Sequence, residues 1–296
     1  MHFQEMQKVL HLKNALELKK PKLQGEFILT EKIEGWFVKI HFDSKLNIWY
    51  APTSSANRVI PSMTWSVQLF NQLPKPKEDC FLIAEAYLED TPFEILNGIF
   101  NRSTGNFSCK EVIFKLHDLI YKSNTLTAYQ RQKELKELLR WNNISVLKEH
   151  LHQLPILLAA PYHEGLWKEQ FENVISNGGE GIVAKRTCAL YSHGKRNTDL
   201  LKLKLECTVE ALADRLEEGI GEQGFPSLTL VSKRKNGTEI RTVIGKHEDQ
   251  SKFRANPYIV IGKVVQLKAM QEYPDGQLRQ PVFQFIREDK LPSEID

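Results

Sequence analysis

Two runs of sequence decide how this chain folds: Glu180-Gly181-Ile182-Val183-Ala184-Lys185 and, after a polar interval, Leu200-Leu201-Lys202-Leu203-Lys204-Leu205. Both have strand length and neither has helical spacing. In the second, the period of two places Lys202 and Lys204 on one face. Upstream, β-branched and aromatic residues mix with polar ones in Glu26-Phe27-Ile28-Leu29, Trp36-Phe37-Val38-Lys39-Ile40 and Ile48-Trp49-Tyr50, with Asp43-Ser44-Lys45 as a turn. These predict antiparallel strands. Helical spacing of Met6, Val9, Leu10, Leu12, Leu16 and Leu18, ended by Pro21, predicts an opening helix over residues 5–20. Residues 126–154 predict an amphipathic helix followed by a shorter one, with Arg131, Lys133, Glu134, Lys136 and Glu137 on its solvated face. Helices thus flank sheets instead of alternating with parallel strands, which makes the class α+β.

The chain changes character near residue 206. Short strand candidates at residues 228–232, 239–245, 264–270 and 282–287 are separated by turn signals and predict a small β-barrel. Between two of them, Lys235-Asn236-Gly237 is a hairpin signal, because Asn-Gly takes the positive φ values of a type I′ turn. The expected boundary lies in residues 203–207, dividing the chain into domains 1–205 and 206–296.

Composition bounds these readings. At 296 residues, 41% hydrophobic and 26% charged, the chain can bury one large or two ordinary cores. Its net charge of +3 is too small to require a nucleic-acid partner, so any basic footprint must be local. Cys80, Cys109, Cys188 and Cys207 form no CxxC pair and lack a close His, which argues against zinc and a disulfide framework and predicts reduced core residues. No signal-peptide pattern opens the sequence, and no apolar stretch approaches the ~20 residues of a membrane span. The expectation is a cytoplasmic monomer with no membrane association.

Five motifs run in one order: Lys32-Ile33-Glu34-Gly35, Glu85, the run from Glu180 to Lys185, the Lys202/Lys204 pair, and Arg287-Glu288-Asp289-Lys290. A lysine before an acid-glycine pair can act as a nucleophile beside a tight turn. Glutamates can hold a divalent metal, and the remaining cations can neutralise a polyphosphate. An amine attacks phosphorus only when unprotonated, and burial and neighbouring cations favour that form, a role open to Lys202 and Lys204. The apolar run around Glu85, Phe81-Leu82-Ile83-Ala84-Glu85, makes an idle carboxylate there expensive.

As an ordered series these motifs resemble the minimal, viral or bacterial ATP-dependent DNA ligases, within the covalent nucleotidyltransferases, from about residue 26 to residue 290. The resemblance implies a nucleotidyltransferase domain followed by an OB-fold barrel. It implies Lys32 as the nucleophile that carries AMP, with Glu31, Glu34, Glu85, His117, Lys185, Lys202 and Lys204 around the nucleotide. Glu180 and Glu85 would hold magnesium, or manganese. His117, before Asp118-Leu119, occupies the position of an aromatic residue that stacks on adenine. Arg287 and Lys290 match a carboxy-terminal motif that swings over the site to orient the pyrophosphate. The implied co-substrate is ATP and the implied partner is nicked duplex DNA, gripped through phosphates by Lys233, Arg234, Lys235 and Arg241. A viral member would work in its host's cytoplasm.

Three positions depart from the pattern. Glu34 stands where the family usually has Asp, Phe37 where it has Arg, and Ser54 where a second Arg grips the 5′-phosphate of the nick. Arg58, in Thr53-Ser54-Ser55-Ala56-Asn57-Arg58, is the expected replacement for that last cation. RNA ligases and mRNA-capping guanylyltransferases share the lysine chemistry and form the alternative reading. A catalytically silent nucleic-acid-binding protein is the third. Lys32, Glu180, Lys202 and Lys204 occurring together speak against it.

Overall fold

A computed structural model describes residues 8–11, 23–52, 64, 66–89, 91, 93–100, 112–140, 149–220 and 226–295. The chain divides into units Met1–Lys204 and Leu205–Asp296. The strands of the first unit are β1 (Lys8–His11), β2 (Glu26–Glu31), β3 (Trp36–Asp43), β4 (Ile48–Tyr50), β5 (Cys80–Tyr87), β6 (Ile113–Tyr121), β7 (Leu151–Gln153), β8 (Ile156–Pro161), β9 (Gly181–Arg186) and β10 (Arg196–Lys204). They form two five-stranded sheets, in the orders β1-β10-β9-β2-β8 and β4-β3-β5-β6-β7. The helices are α1 (Ser66–Phe70), α2 (Phe93–Phe100), α3 (Ala128–Arg140) and α4 (Glu164–Ser176).

Strand alternation gives each sheet an apolar outer face and a chemically loaded inner one. In β2, β9 and β10, Phe27, Leu29, Ile182, Ala184 and Leu201 pack with Trp167 and Val174 of α4. The alternate residues form two rows across the same strands, Thr30–Val183–Lys202 and Ile28–Lys185–Leu200. In the second sheet, Val38, Ile40, Leu82, Ala84 and Leu116 join a larger core with Phe70 of α1, Phe100 of α2 and Leu135 of α3. Their strand neighbours Phe37, Ile83 and Glu85 instead line a pocket shared with Thr30, Val183, Lys185 and Lys202 of the first sheet. Helices on the outer faces leave the inner faces to build the site.

The second unit is a five-stranded antiparallel sheet of β11 (Cys207–Ile220), β12 (Pro226–Lys233), β13 (Glu239–Val243), β14 (Val264–Ala269) and β17 (Val282–Ile286), ordered β13-β12-β11-β14-β17. The strands β15 (Gln271–Glu272) and β16 (Leu278–Arg279) form a small ribbon. Helix α5 (His247–Ala255) sends Phe253 into a core with Leu228, Leu230, Ile240, Val265 and Leu267. No ladder joins the two edges of the five-stranded sheet among the described residues. Both units together are mixed α+β.

Several local expectations are corrected. Within residues 5–20 the described part is a strand, β1, which pairs in parallel with β10. Intrinsic helix preference is weak, and the hydrogen bonds offered by an open sheet edge outweigh it. Of the shorter helix expected after α3, residues 149–150 are helical and residues 141–148 lie outside the described residues, but Leu151–Gln153 is instead the strand β7, which pairs in parallel with β6. Among the cysteines Cys80 is a core residue, Cys188 is exposed and Cys207 half-buried, while Cys109 lies outside the described residues. No helix among the described residues is long and apolar enough to cross a membrane.

The hairpin between β12 and β13 is present, but its turn differs. Gly237 N–H donates to the Arg234 carbonyl at 2.9 Å, and of the turn residues only Gly237 has positive φ, at 86°. This is a type I turn followed by a left-handed glycine, the three-residue loop in place of the two-residue type I′ loop. Asn236 spends its side chain on the Thr238 N–H at 3.0 Å. A Cβ at Gly237 would meet nothing within 4 Å, so Gly237→Ala should cost about 1–2 kcal/mol through backbone conformation alone. Asn236→Gly, stabilising in a type I′ turn, should not stabilise here; denaturant titration of both variants checks the assignment.

Candidate active site

Two glycines create the site's geometry. Gly181 sits at φ 151°, and a Cβ there would lie 2.2 Å from the Leu203 carbonyl oxygen, so only glycine lets β9 begin flush against β10. Its own carbonyl accepts the Lys32 N–H at 2.8 Å, which carries the β2 pairing one residue further and fixes the start of the Lys32 loop. Gly35 closes that loop against β5, where a Cβ would lie 2.9 Å from both the Ala86 oxygen and Glu85 Cβ. The result brings Lys32, Glu85, Glu180 and Lys202 together from four separate stretches of chain.

The electrostatics follow from this crowding. The Lys32 ammonium forms an ion pair with the Glu180 carboxylate, which is 8% exposed. Burial pushes the Glu85 carboxyl up to about 8; nearby Lys32 opposes the shift and Glu180 reinforces it. Burial, together with the charges of Lys204 and Lys32, lowers Lys202 from its ordinary value. Lys202 lines the pocket, and Lys204 follows on the same face of β10. Glu31 also lines the pocket, and Glu34 sits in the loop between Lys32 and Gly35. Among the described residues no group of three or more metal-ligating side chains converges. Glu85 and Glu180 beside one lysine nevertheless suit magnesium, which takes one or two carboxylates with water and phosphate oxygens.

The rest of the lining is mixed: Ile83, His117, Ala128, Leu154, Leu190 and Tyr191 supply apolar and aromatic surface, and Asp118, Arg131, Lys185, Arg186 and Asp199 supply charge. His117 is the extra residue of a β-bulge: Ile83 pairs with Asp118 and Ala84 with Leu116, leaving His117 without a ladder partner. Its carbonyl accepts instead from Lys185 Nζ and, at 2.9 Å, from Gln132 Nε2. Burial, reinforced by Lys185, pushes the imidazole down to about 3, so the ring is neutral at physiological pH. Behind it, Asp118 is held by Arg131 at 2.8 and 3.3 Å and by Lys185 at 3.2 Å. Burial disfavours that carboxylate, but Arg131 and Lys185 outweigh the penalty and keep it well below the usual range. Burial lowers Lys185 despite Asp118. The lysine expected on the phosphates is thus anchored in the base of the pocket.

The other predicted residues belong to the second unit or lie outside the described residues. Arg287 and Lys290 both bind Glu210 within the second unit, Lys290 at 2.7 Å, and Arg287 also binds Asp289. The hairpin cations are ion-paired: Lys233 with Asp214 at 3.1 Å, Arg234 with Glu272 at 3.1 Å, and Arg241 with Glu217. Arg215 binds Asp214, Glu217 and Glu239 on the same strands. This surface is a charge-balanced lattice, and Lys235 is exposed at its tip. Arg58 and Ser54 lie outside the described residues.

Sequence reasoning missed Asp118, Arg131 and Phe37 as pocket walls. The solvated-face reading of the α3 charges fails at Arg131, which is 4% exposed. A signal was present, because Arg131 lies on the stripe Ala128, Arg131, Gln132, Leu135, Leu138 that α3 buries. Phe37, 45% exposed, puts an apolar ring at the position two residues after Gly35.

A family model described as "ATP dependent DNA ligase domain" matches residues 11–204. DNA ligase 4 of Kluyveromyces lactis is 28% identical over 214 residues, 62% of this chain and 22% of that protein. The chain therefore spans about a fifth of the length of the curated relatives it matches. Of solved structures, Pmar-Lig_PreS3 has a TM-score of 0.73 at 19% identity, over 96% of this chain and 67% of that one. A Lig E DNA ligase, described as binding DNA with a minimal scaffold, has a TM-score of 0.65 at 18% identity, over 97% and 100%. At these identities the structural likeness speaks to the fold alone.

The elevated Glu85 carboxyl generates a pH dependence with a defined sign. The folded protein holds a proton up to about pH 8 that the unfolded chain releases near its ordinary carboxyl value, so this group's contribution to stability falls as pH rises between the two. Glu85→Gln should therefore stabilise the nucleotide-free protein at pH 8, do little at pH 4.5, and flatten the slope between them. Denaturant midpoints of both proteins across this range provide the check.

Proposed function

The chain belongs to the ATP-dependent DNA ligase family, and on that premise we propose that it seals nicks between 5′-phosphate and 3′-hydroxyl ends of duplex DNA through a lysyl-adenylate and then a DNA-adenylate. The observation that carries this reading is the polarity of the pocket. Lys32, Lys202 and two carboxylates gather in one part of it, while Ile83, Leu154, Leu190 and Tyr191 with a neutral His117 offer apolar surface, and the charges of Asp118, Arg131 and Lys185 beside them are paired with one another. A nucleotide has the same polarity.

In the first step the Lys32 amine, released from Glu180 and deprotonated, attacks the α-phosphorus of ATP. An N–P bond forms, the bond to pyrophosphate breaks, and pyrophosphate departs with its electron pair. Lys202 and Lys204 neutralise the phosphates. A magnesium ion held by Glu180 and Glu85 would supply further neutralisation of charge building on the α-phosphate. In the second step a 5′-phosphate oxygen of the nick attacks the same phosphorus and returns the amine to Lys32. In the third, the 3′-hydroxyl attacks the 5′-phosphate and AMP leaves. His117 stacks on the adenine, and Arg287 and Lys290 serve only the first step.

Residues 1–205 form the adenylation domain and 206–296 an OB-fold domain. The approach of β13 to β17, the two edges of the five-stranded sheet, supports a barrel. Incubation with labelled ATP should yield an acid-labile, alkali-stable phosphoramidate, and Lys32→Ala should abolish it together with all sealing that needs ATP. Arg287→Ala and Lys290→Ala should lose self-adenylation yet seal DNA already adenylated at its 5′ end. Transfer of label from GTP, or sealing confined to RNA, would move the reading to the RNA-directed relatives.

The paired hairpin gives a second test. Lys233 and Arg241 reach DNA phosphates only by leaving Asp214 and Glu217, so those carboxylates oppose binding. Asp214→Asn with Glu217→Gln should tighten binding to nicked duplex and steepen its loss with salt, measured as the slope of log affinity against log salt. Neutralising Lys233, Arg234, Lys235 and Arg241 should flatten it.

A further inference from the structure

One buried ionic cluster, Asp118, Arg131 and Lys185, forms part of the pocket wall and takes no part in the phosphoryl chemistry. Arg131, on the buried stripe of α3, makes four contacts that join three segments of pocket wall. It holds both oxygens of Asp118 on β6, at 2.8 and 3.3 Å. Its Nη1 donates to the Leu126 carbonyl at 3.0 Å, just before α3, and to the Ala189 carbonyl at 3.2 Å, in the loop between β9 and β10. Its guanidinium also lies 5.8 Å from the ring centre of Tyr191. Gln132, the next residue, holds the bulged His117 carbonyl and touches Gln153 of β7.

This arrangement has a mechanical consequence. A bulged residue lacks the ladder hydrogen bonds that fix its neighbours, so the direction of the His117 ring depends on whatever grips its carbonyl. The grips are Lys185 and Gln132, and Lys185 is itself kept in place by Asp118. Asp118 lies 3% exposed between two cations; without Arg131 it would keep only Lys185 and the Leu119 N–H, the Leu126 carbonyl would lose its side-chain donor, and the Ala189 carbonyl would keep only the Ala128 N–H. Through these contacts β6, the approach to α3 and the loop between β9 and β10 are tied to one guanidinium, whose planar fork lysine cannot reproduce.

We propose that Arg131 is a positioning residue for nucleotide recognition: through Asp118 it sets Lys185 and the bulged His117 as the wall against which the base lies. This rests on the ligase reading for the identity of the nucleotide. The cluster lies at the base end, and the reacting groups Lys32, Glu180 and Lys202 are not among Arg131's partners. Its loss therefore acts on nucleotide affinity and base choice and not on the rate of the filled site.

The test compares Arg131→Lys, Arg131→Met and Gln132→Leu with the parent. Self-adenylation rates against ATP and GTP concentration give KM and kcat. Calorimetric titration of ATP into the same variants built on Lys32→Ala reads affinity with no chemistry. Arg131→Lys should raise the KM and dissociation constant for ATP about tenfold or more, with kcat within about twofold and a reduced preference for ATP over GTP. Gln132→Leu should show a smaller shift of the same kind. A merely structural role would lower melting temperature and active fraction while leaving affinity, KM and the ATP-to-GTP ratio of the folded fraction unchanged, and that result in Arg131→Lys overturns the proposal. Should the Arg131 variants not fold, unchanged values in Gln132→Leu overturn it equally. A parent protein that binds ATP but never adenylates Lys32 would instead defeat the ligase reading, with the affinity comparison still deciding the role of Arg131.

Discussion

The contact on which the site depends is the approach of Gly181 to β10. A side chain there would collide with the Leu203 carbonyl, so the absence of one lets β9 start flush against the strand that carries Lys202 and Lys204. The same residue's carbonyl receives the Lys32 N–H, and the residue before it supplies the carboxylate that pairs with the Lys32 ammonium. One backbone position thus sets nucleophile, acid and cations within reach of each other. Gly35 does the corresponding work on the second sheet by letting the Lys32 loop close against Glu85.

Charge in this pocket is arranged by depth. Toward Lys32 the groups are partly exposed and their pairings can open: Lys32 with Glu180, Glu85 protonated by burial, Lys202 lowered by burial and by neighbouring cations. Toward α3 the charges are sealed, and Asp118 is satisfied by two cations. Buried ion pairs contribute little net stability but cost heavily when half-removed, so such a cluster fixes geometry more than it adds stability. The outer end suits groups that exchange partners during a reaction, and the inner end suits a wall that must not move. In the second unit the same reasoning applies to surface charge, because Asp214, Glu217 and Glu239 already occupy the cations that the hairpin would present to a phosphate.

What the sequence alone determined is whatever depends on short-range periodicity. The period of two in β2, β3, β9 and β10 is visible in the string, and it separates core from pocket residues because successive side chains must point to opposite faces. The Lys32 and Glu180 motifs were legible for a related reason: glycine next to a functional residue marks a place where backbone must come close. Only the tertiary structure decided the rest. Residues 8–11 read as part of a helix although local preference is weak, and they form a strand because β10 offers an open edge. Arg131 reads as a surface charge by residue type and is buried because Asp118, distant in sequence, supplies its counter-charge. The bulge at His117 is a mismatch of two strands, and a mismatch has no signature in either strand by itself. Periodicity is encoded residue by residue, whereas partners are chosen in three dimensions by electrostatics and hydrogen bonding across the fold.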